Sequence, residues 1–70
     1  MKILIVEDEK SLLDSMASYL RNEGFICEQA KNYFTAEDKL AAFDYDLMIL
    51  DINLPDGNGL NLLKQLKQRH

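Results

Sequence analysis

Three carboxylates in this 70-residue chain follow directly on apolar runs. Glu7 and Asp8 come after Ile3-Leu4-Ile5-Val6, and Asp51 comes after Leu47-Met48-Ile49-Leu50. In open parallel sheets, ligands bind beyond the carboxyl ends of the strands, where the strand order reverses. If the first and third apolar runs are neighbouring strands, the three acids converge at that edge. Like charges there repel and raise one another's proton affinity, which a hard divalent cation relieves. Mg²⁺ suits the task, since it takes a few carboxylates together with waters and phosphate oxygens. A carboxylate beside Mg²⁺ is also a nucleophile toward phosphorus, giving an aspartyl phosphate. Asp51 is the best placed for this role, because a Pro/Gly loop follows it and can present backbone groups to a phosphoryl ligand. Asn53, two residues on, offers a main-chain carbonyl to the metal. The competing reading is that these acids only cap strands and favour helix N-termini through the dipole.

The elements that must position them follow from periodicity. Lys2 to Val6 is a continuous β-branched and Leu run, expected as a strand buried on both faces. From Glu9 to Glu23 the period becomes helical, with Leu12, Leu13, Met16, Ala17 and Leu20 on one face and Gly24 as the left-handed C-terminal residue. Phe25 to Ala30 is a second short strand. Asn32 caps a second helix, in which Ala36, Leu40 and Phe43 keep helical spacing. Leu47 to Leu50 is the third strand, and Asn53 to Gly59 is a loop dense in Pro, Gly, Asp and Asn. A last helix sets Leu60, Leu63 and Leu66 on one face, with Leu62 beside it. Strands alternating with helices give an α/β parallel sheet with right-handed crossovers, organised as one domain over residues 1–70.

Composition bounds the function classes. With 47% hydrophobic and 29% charged residues, disorder is excluded, and 3 Gly, 1 Pro and 1 Cys exclude collagen-like and disulfide scaffolds. No apolar run has the length of a membrane helix, and the acidic Glu7-Asp8-Glu9 comes too early for a signal peptide. The lone Cys27 fits a reducing cytoplasm and a buried strand position. A net charge of −4 argues against direct contact with nucleic acid.

The segments Ile3-Leu4-Ile5-Val6-Glu7-Asp8-Glu9 and Asp46-Leu47-Met48-Ile49-Leu50-Asp51-Ile52-Asn53-Leu54-Pro55-Asp56-Gly57-Asn58-Gly59-Leu60, in this order and spacing, resemble a bacterial response-regulator receiver domain. The resemblance implies a doubly wound, flavodoxin-like sheet of strand order 2-1-3 for the three βα units here. It also implies that two further units belong to the whole domain, so that the chain is its N-terminal half. Those units would carry a Ser or Thr and a Lys that contact the phosphoryl oxygens. The resemblance further implies Asp51 as phosphoacceptor, Asp8 as a direct Mg²⁺ ligand, Glu7 as an acid acting through water, and Asn53 as a main-chain ligand. The implied partners are a sensor histidine kinase and an output domain, the loop being similar to that of regulators with a winged-helix DNA-binding domain. On this reading the chain is a phosphoacceptor module and not an enzyme. The alternative is a structural half-domain limited to folding and self-association. In either case the strand-three edge, or helix faces left uncovered, is expected to pair copies of the chain into a homo-oligomer.

Other motifs are excluded. Pro55 and Asp56 stand where an EF-hand needs a ligand and a turn Gly, and Asn53 is not the second acid of a phosphatase motif. Gly57-Asn58-Gly59 lacks the third glycine of a dinucleotide fingerprint, and no Walker Lys follows it. Tyr33, Phe34 and Phe43 are expected at the core and rim around the second helix. Lys64, Lys67, Arg69 and His70 complement the dipole of the last helix, with His70 a solvated end.

Overall fold

The computed structural model describes residues 1–69; His70 and the side chain of Arg69 lie outside the described residues. The elements are β1 (Lys2–Val6), α1 (Lys10–Asn22), β2 (Ile26–Ala30), α2 (Tyr33–Ala42), β3 (Leu47–Leu50), β4 (Asn53–Leu54), β5 (Gly57–Asn58) and α3 (Leu60–Arg69). The main sheet has the order β2-β1-β3, and both pairings are parallel. This is the expected doubly wound arrangement.

From Ile3 to Val6 β1 is apolar because both of its faces are covered. Ile3 and Ile5 meet Leu13 and Ala17 of α1, together with Cys27. Leu4 and Val6 point to the other side, into a cluster with Ala36 and Leu40 of α2 and Leu62 of α3. Side chains alternate across a strand, so four consecutive residues, Ile3 to Val6, supply two separate cores.

α1 begins one residue later than its periodicity suggests, because Glu9 is its N-cap. The Glu9 carboxylate accepts from the N–H groups of Ser11 (3.2 Å) and Leu12 (2.8 Å) and from the Ser11 hydroxyl (2.7 Å). The Ser11 hydroxyl bond first, then the Leu12 and Ser11 N–H groups, holds this carboxyl below its ordinary value. At the other end Gly24, at φ +94°, closes the helix. Its N–H donates to the Arg21 carbonyl and that of Phe25 to the Leu20 carbonyl, which is the Schellman pattern. Phe25 is therefore spent on the cap, and β2 starts at Ile26 and not at Phe25.

Three other expectations change. Leu12 is 46% exposed, on the flank of α1, because a three-stranded sheet reaches only the stripe of Leu13, Met16, Ala17 and Leu20. In α3 the buried residue is Leu62, with Leu66 one turn on, whereas Leu60 and Leu63 are exposed. The helix is rolled so that its i, i+4 pair meets α2 and the sheet. Finally, the segment from Asn53 to Gly59 contains a small antiparallel hairpin, with Asn53 opposite Asn58 and Leu54 opposite Gly57. Pro55 and Asp56 form its tip with negative φ. Such a turn lacks the twist of the favoured two-residue hairpin turns, which limits the pairing to two residues a side.

Sequence reading missed Tyr45, which is 3% exposed. Its hydroxyl donates to Glu28 Oε1 at 2.6 Å, while the ammonium groups of Lys2 and Lys39 each lie 3.5 Å from the same carboxylate. Lys2 also stands over the rings of Phe43 (4.5 Å) and Tyr45 (5.2 Å). The phenol bond, against some opposition from burial and with help from both lysines, holds the Glu28 carboxyl below its ordinary value. Burial first, then the bond to Glu28 and its charge, pushes the Tyr45 phenol up.

Because the Glu28 pKa is lowered in the fold, its contribution is complete above the ordinary 4.5 and lost as acid protonates it. Because the Tyr45 pKa is raised, its contribution is complete below the ordinary 10 and lost as pH rises beyond it. Tyr45→Phe is expected to lower stability by about 1 kcal/mol at neutral pH. It should also remove the alkaline decline and shallow the acid one, as urea unfolding across pH will show.

Candidate functional site

The register of the sheet builds the acidic site. Val6 lies opposite Leu50 in the β1–β3 pair, and the Asp51 N–H donates to the Val6 carbonyl at 2.8 Å. On the other side, the Glu7 N–H donates to the Ala30 carbonyl at 3.0 Å. The chain therefore leaves β1 and β3 side by side, at the C-terminal edge of the sheet and at the reversal of strand order.

Carboxylate oxygens of Glu7, Asp8 and Asp51 all lie within 4.8 Å of one another. Glu7 and Asp51 are half-buried and Asp8 is exposed. None of the three forms an ion pair among the described residues. At such separations each pair of charges repels by about 1 kcal/mol even in bulk water, and by more toward the protein. Glu7 Oε2 accepts from the Glu9 N–H at 3.0 Å, and Asp51 Oδ1 from the Asn53 N–H at 3.1 Å. These two bonds orient the carboxylates without neutralising them. The donor set is entirely hard oxygen, the kind a divalent cation such as Mg²⁺ takes.

Asn53 is exposed at the start of the hairpin and lines a shallow depression of about 360 Å³ with Asp8, Ile52, Leu54, Pro55, Gly57 and Asn58. All four residues singled out from the sequence thus occur in one region. Glu7, Asp8 and Asp51 form the cluster, and Asn53 is tied to it through Asp51.

In the loop behind the acids, Gly59 and Asp56 have structural roles that sequence reasoning did not assign to them. At Gly59 an added Cβ would lie 2.6 Å from the Asp51 carbonyl and 2.9 Å from a Leu50 methyl. Only a glycine lets the chain enter α3 this close to the end of β3. The Gly59 N–H also donates to the Ile52 carbonyl at 2.9 Å. At the hairpin tip, Asp56 Oδ1 accepts from the Tyr33 N–H (2.6 Å) and Oδ2 from the Phe34 N–H (3.1 Å), at the first turn of α2. Burial works to raise this carboxyl, but the N–H groups of Tyr33 and Phe34 outweigh it and hold it below its ordinary value. A Pro-Asp pair in a loop gave no sign of this role, because its partners lie more than twenty residues away.

Known proteins are similar to this chain in sequence and in fold. The response regulator receiver domain matches residues 3–70. The transcriptional regulatory protein BasR of Escherichia coli is 41% identical over 69 residues, covering 99% of this chain and 31% of the relative. The transcriptional regulatory protein CusR of Escherichia coli is 42% identical over 67 residues, covering 96% and 30%. Among solved structures, the non-phosphorylated HemR receiver domain of Leptospira biflexa superposes with a TM-score of 0.90 at 33% identity, covering 99% of this chain and 56% of that one. The response regulator TrrA of Thermotoga maritima, solved in complex with Mg²⁺-BeF, gives 0.88 at 32% identity, covering 97% and 59%. The chain thus spans about a third of the curated relatives and somewhat over half of these solved chains.

Uncompensated repulsion has a direct consequence. Asp51→Asn is expected to raise the thermal stability of the metal-free protein by an amount on the order of 1 kcal/mol, by relieving two repulsive pairs. Millimolar Mg²⁺ should stabilise the wild type and leave this variant nearly unchanged. Thermal unfolding with and without the ion checks both.

Proposed function

The chain belongs to the response regulator receiver domain family, and we propose that within it Asp51 is the phosphoacceptor, Glu7 and Asp8 the metal-side acids, and the Asn53 carbonyl a further metal ligand. The observation that carries this reading is the convergence of three half-buried or exposed carboxylates at the C-terminal ends of β1 and β3. A purely structural half-domain has no use for such a like-charged cluster, so the arrangement favours signalling over that alternative.

Mg²⁺ bound among these oxygens would neutralise the cluster and polarise a phosphoryl oxygen. The protein's own contribution is positional. The Asn53 N–H fixes one oxygen of Asp51, which leaves the other to attack phosphorus. The new O–P bond forms as the bond from phosphorus to the leaving group breaks. The leaving group departs with the electron pair, and Asp51 becomes an acyl phosphate. Asp51 is consumed as it reacts, so the chain acts as a switch and not as a turnover catalyst. TrrA, solved with Mg²⁺-BeF, supports the choice of metal.

In the whole protein the proposed phosphodonor is a sensor histidine kinase, as membership of the receiver family implies, and the proposed output is transcription, which BasR and CusR carry in their names. This acidic chain is not itself the nucleic-acid contact. No described helix is long and apolar enough to cross a membrane, and a cytoplasmic module suits the buried free thiol of Cys27. With an acyl-phosphate donor and Mg²⁺, the wild type is expected to gain one hydroxylamine-labile phosphoryl group by intact mass. Asp51→Asn gains none, and chelation of the metal stops the reaction. Labelling of the Asn variant would overturn the assignment.

One further observation bears on partners. β3 is an edge strand of the described sheet, Leu47 is 44% exposed and Leu63 of α3 is 37% exposed. An exposed apolar edge templates pairing with another strand. Two copies are expected to associate through β3. Sedimentation equilibrium should show a dimer that Leu47→Lys shifts to monomer, whereas a folded wild-type monomer at high concentration rejects this pairing.

A further inference from the structure

From the hairpin contacts we infer that Asp56 is a positioning residue for the metal site, clamping the hairpin that carries Asn53 to the N-terminus of α2. This inference rests on the reading of the acid cluster and the Asn53 carbonyl as a Mg²⁺ site. The hairpin is held at three points. At its base the Asn53 N–H donates to Asp51, and in its middle Leu54 is buried in the core under α2 and α3. At its tip both Asp56 oxygens accept N–H groups from the first turn of α2, and the Tyr33 ring lies against Gly57.

Asn32 satisfies one N–H of the first turn, that of Thr35 at 2.8 Å, and Asp56 takes the two it leaves, those of Tyr33 and Phe34. Asp56 supplies a second set of acceptors from a different part of the chain. Its two charge-assisted bonds fix the distance between the loop after Asp51 and α2. Tyr33 extends the connection, since its hydroxyl accepts from Gln65 of α3, which also donates to Glu37 of α2. The ends of the loop and the two helices it separates are thus tied to one another. A metal ligand that is a backbone carbonyl has no side chain of its own to adjust, so its placement depends on the segment that carries it.

Coupling of this kind is reciprocal: if the clamp favours metal binding, metal binding must favour the clamp. The test is Mg²⁺ titration of the whole chain, followed by backbone-amide NMR, with amide exchange measured at Tyr33, Phe34 and Thr35. Asp56→Ala is expected to weaken Mg²⁺ binding roughly three- to tenfold. It also removes a negative charge, so a second variant keeps the charge and breaks the contact. Gly57→Ala would set a Cβ 2.7 Å from Tyr33 Cγ, at the root of the side chain, and force the hairpin off the helix. It should weaken binding comparably.

Asn32→Ala is the control, because it removes a cap from the same helix without touching the hairpin. It should lower stability and leave Mg²⁺ affinity unchanged. In the wild type, Mg²⁺ should slow exchange at Tyr33 and Phe34 more than at Thr35. Weakening by Asp56→Ala alone would mark a simple charge effect and overturn the inference, as would equal weakening by Asn32→Ala or no weakening by either loop variant. A wild type that binds no Mg²⁺ would instead overturn the metal-site reading, and the inference with it.

Discussion

The parallel register between β1 and β3 is the constraint on which the rest depends. Val6 opposite Leu50 brings Glu7 and Asp51 out of the sheet at the same level. A slip of one residue would exchange the two faces of a strand, moving Ile3 and Ile5 away from α1 and Leu4 and Val6 away from α2 and α3. Burial of β1 on both faces penalises that slip twice. The same apolar packing that stabilises the sheet therefore holds three carboxylates closer than they would choose. The core thus bears the electrostatic cost of bringing the three acids together.

The two ends of the sheet resolve charge differently. At the N-terminal end, Glu28 is surrounded by the Tyr45 phenol and by Lys2 and Lys39. Its charge is compensated, and the cluster joins β1, β2, α2 and the entry to β3. At the C-terminal end Glu7 and Asp51 each accept from a backbone N–H group, and among the described residues Glu7, Asp8 and Asp51 form no ion pair. A compensated cluster is a structural tie, whereas an uncompensated one is poised for a ligand. This contrast within one small chain sets the acids of the proposed site apart from the compensated Glu28.

The segment after Asp51 shows how such a site is supported. It is neither a free loop nor a regular element, but a two-residue hairpin anchored at Asp51, in the core through Leu54, and on α2 through Asp56. Gly59 then lets the chain pass close behind the Asp51 carbonyl on its way into α3. The contacts of Leu54, Asp56 and Gly59 join residues close to the acids to the core, to α2 and to the entry of α3. The site's geometry is thereby linked to the placement of both helices on that face of the sheet.

Local signals sufficed for much of this. The β-branched run, the helical periods, Asn32 as a cap and Gly24 as a left-handed stop all act within a few residues, and each stands where the local rules put it. The acids after the first and third strands could be named for the same reason, since strand ends are local; that these ends lie side by side was implied only by the resemblance to receiver domains. The rest needed the packed chain. Whether Leu62 or Leu63 faces the core depends on how α3 rolls against α2, and both choices satisfy a helical period. Phe25 left the strand because its N–H completes a helix cap. Tyr45 and Glu28 are 17 residues apart, and Asp56 and Tyr33 are 23 apart. Periodicity and turn chemistry are short-range and are written in neighbouring residues. Partner choice across the fold depends on which side chains the two cores bring within hydrogen-bond reach, and that is set only when helices and sheet are packed together.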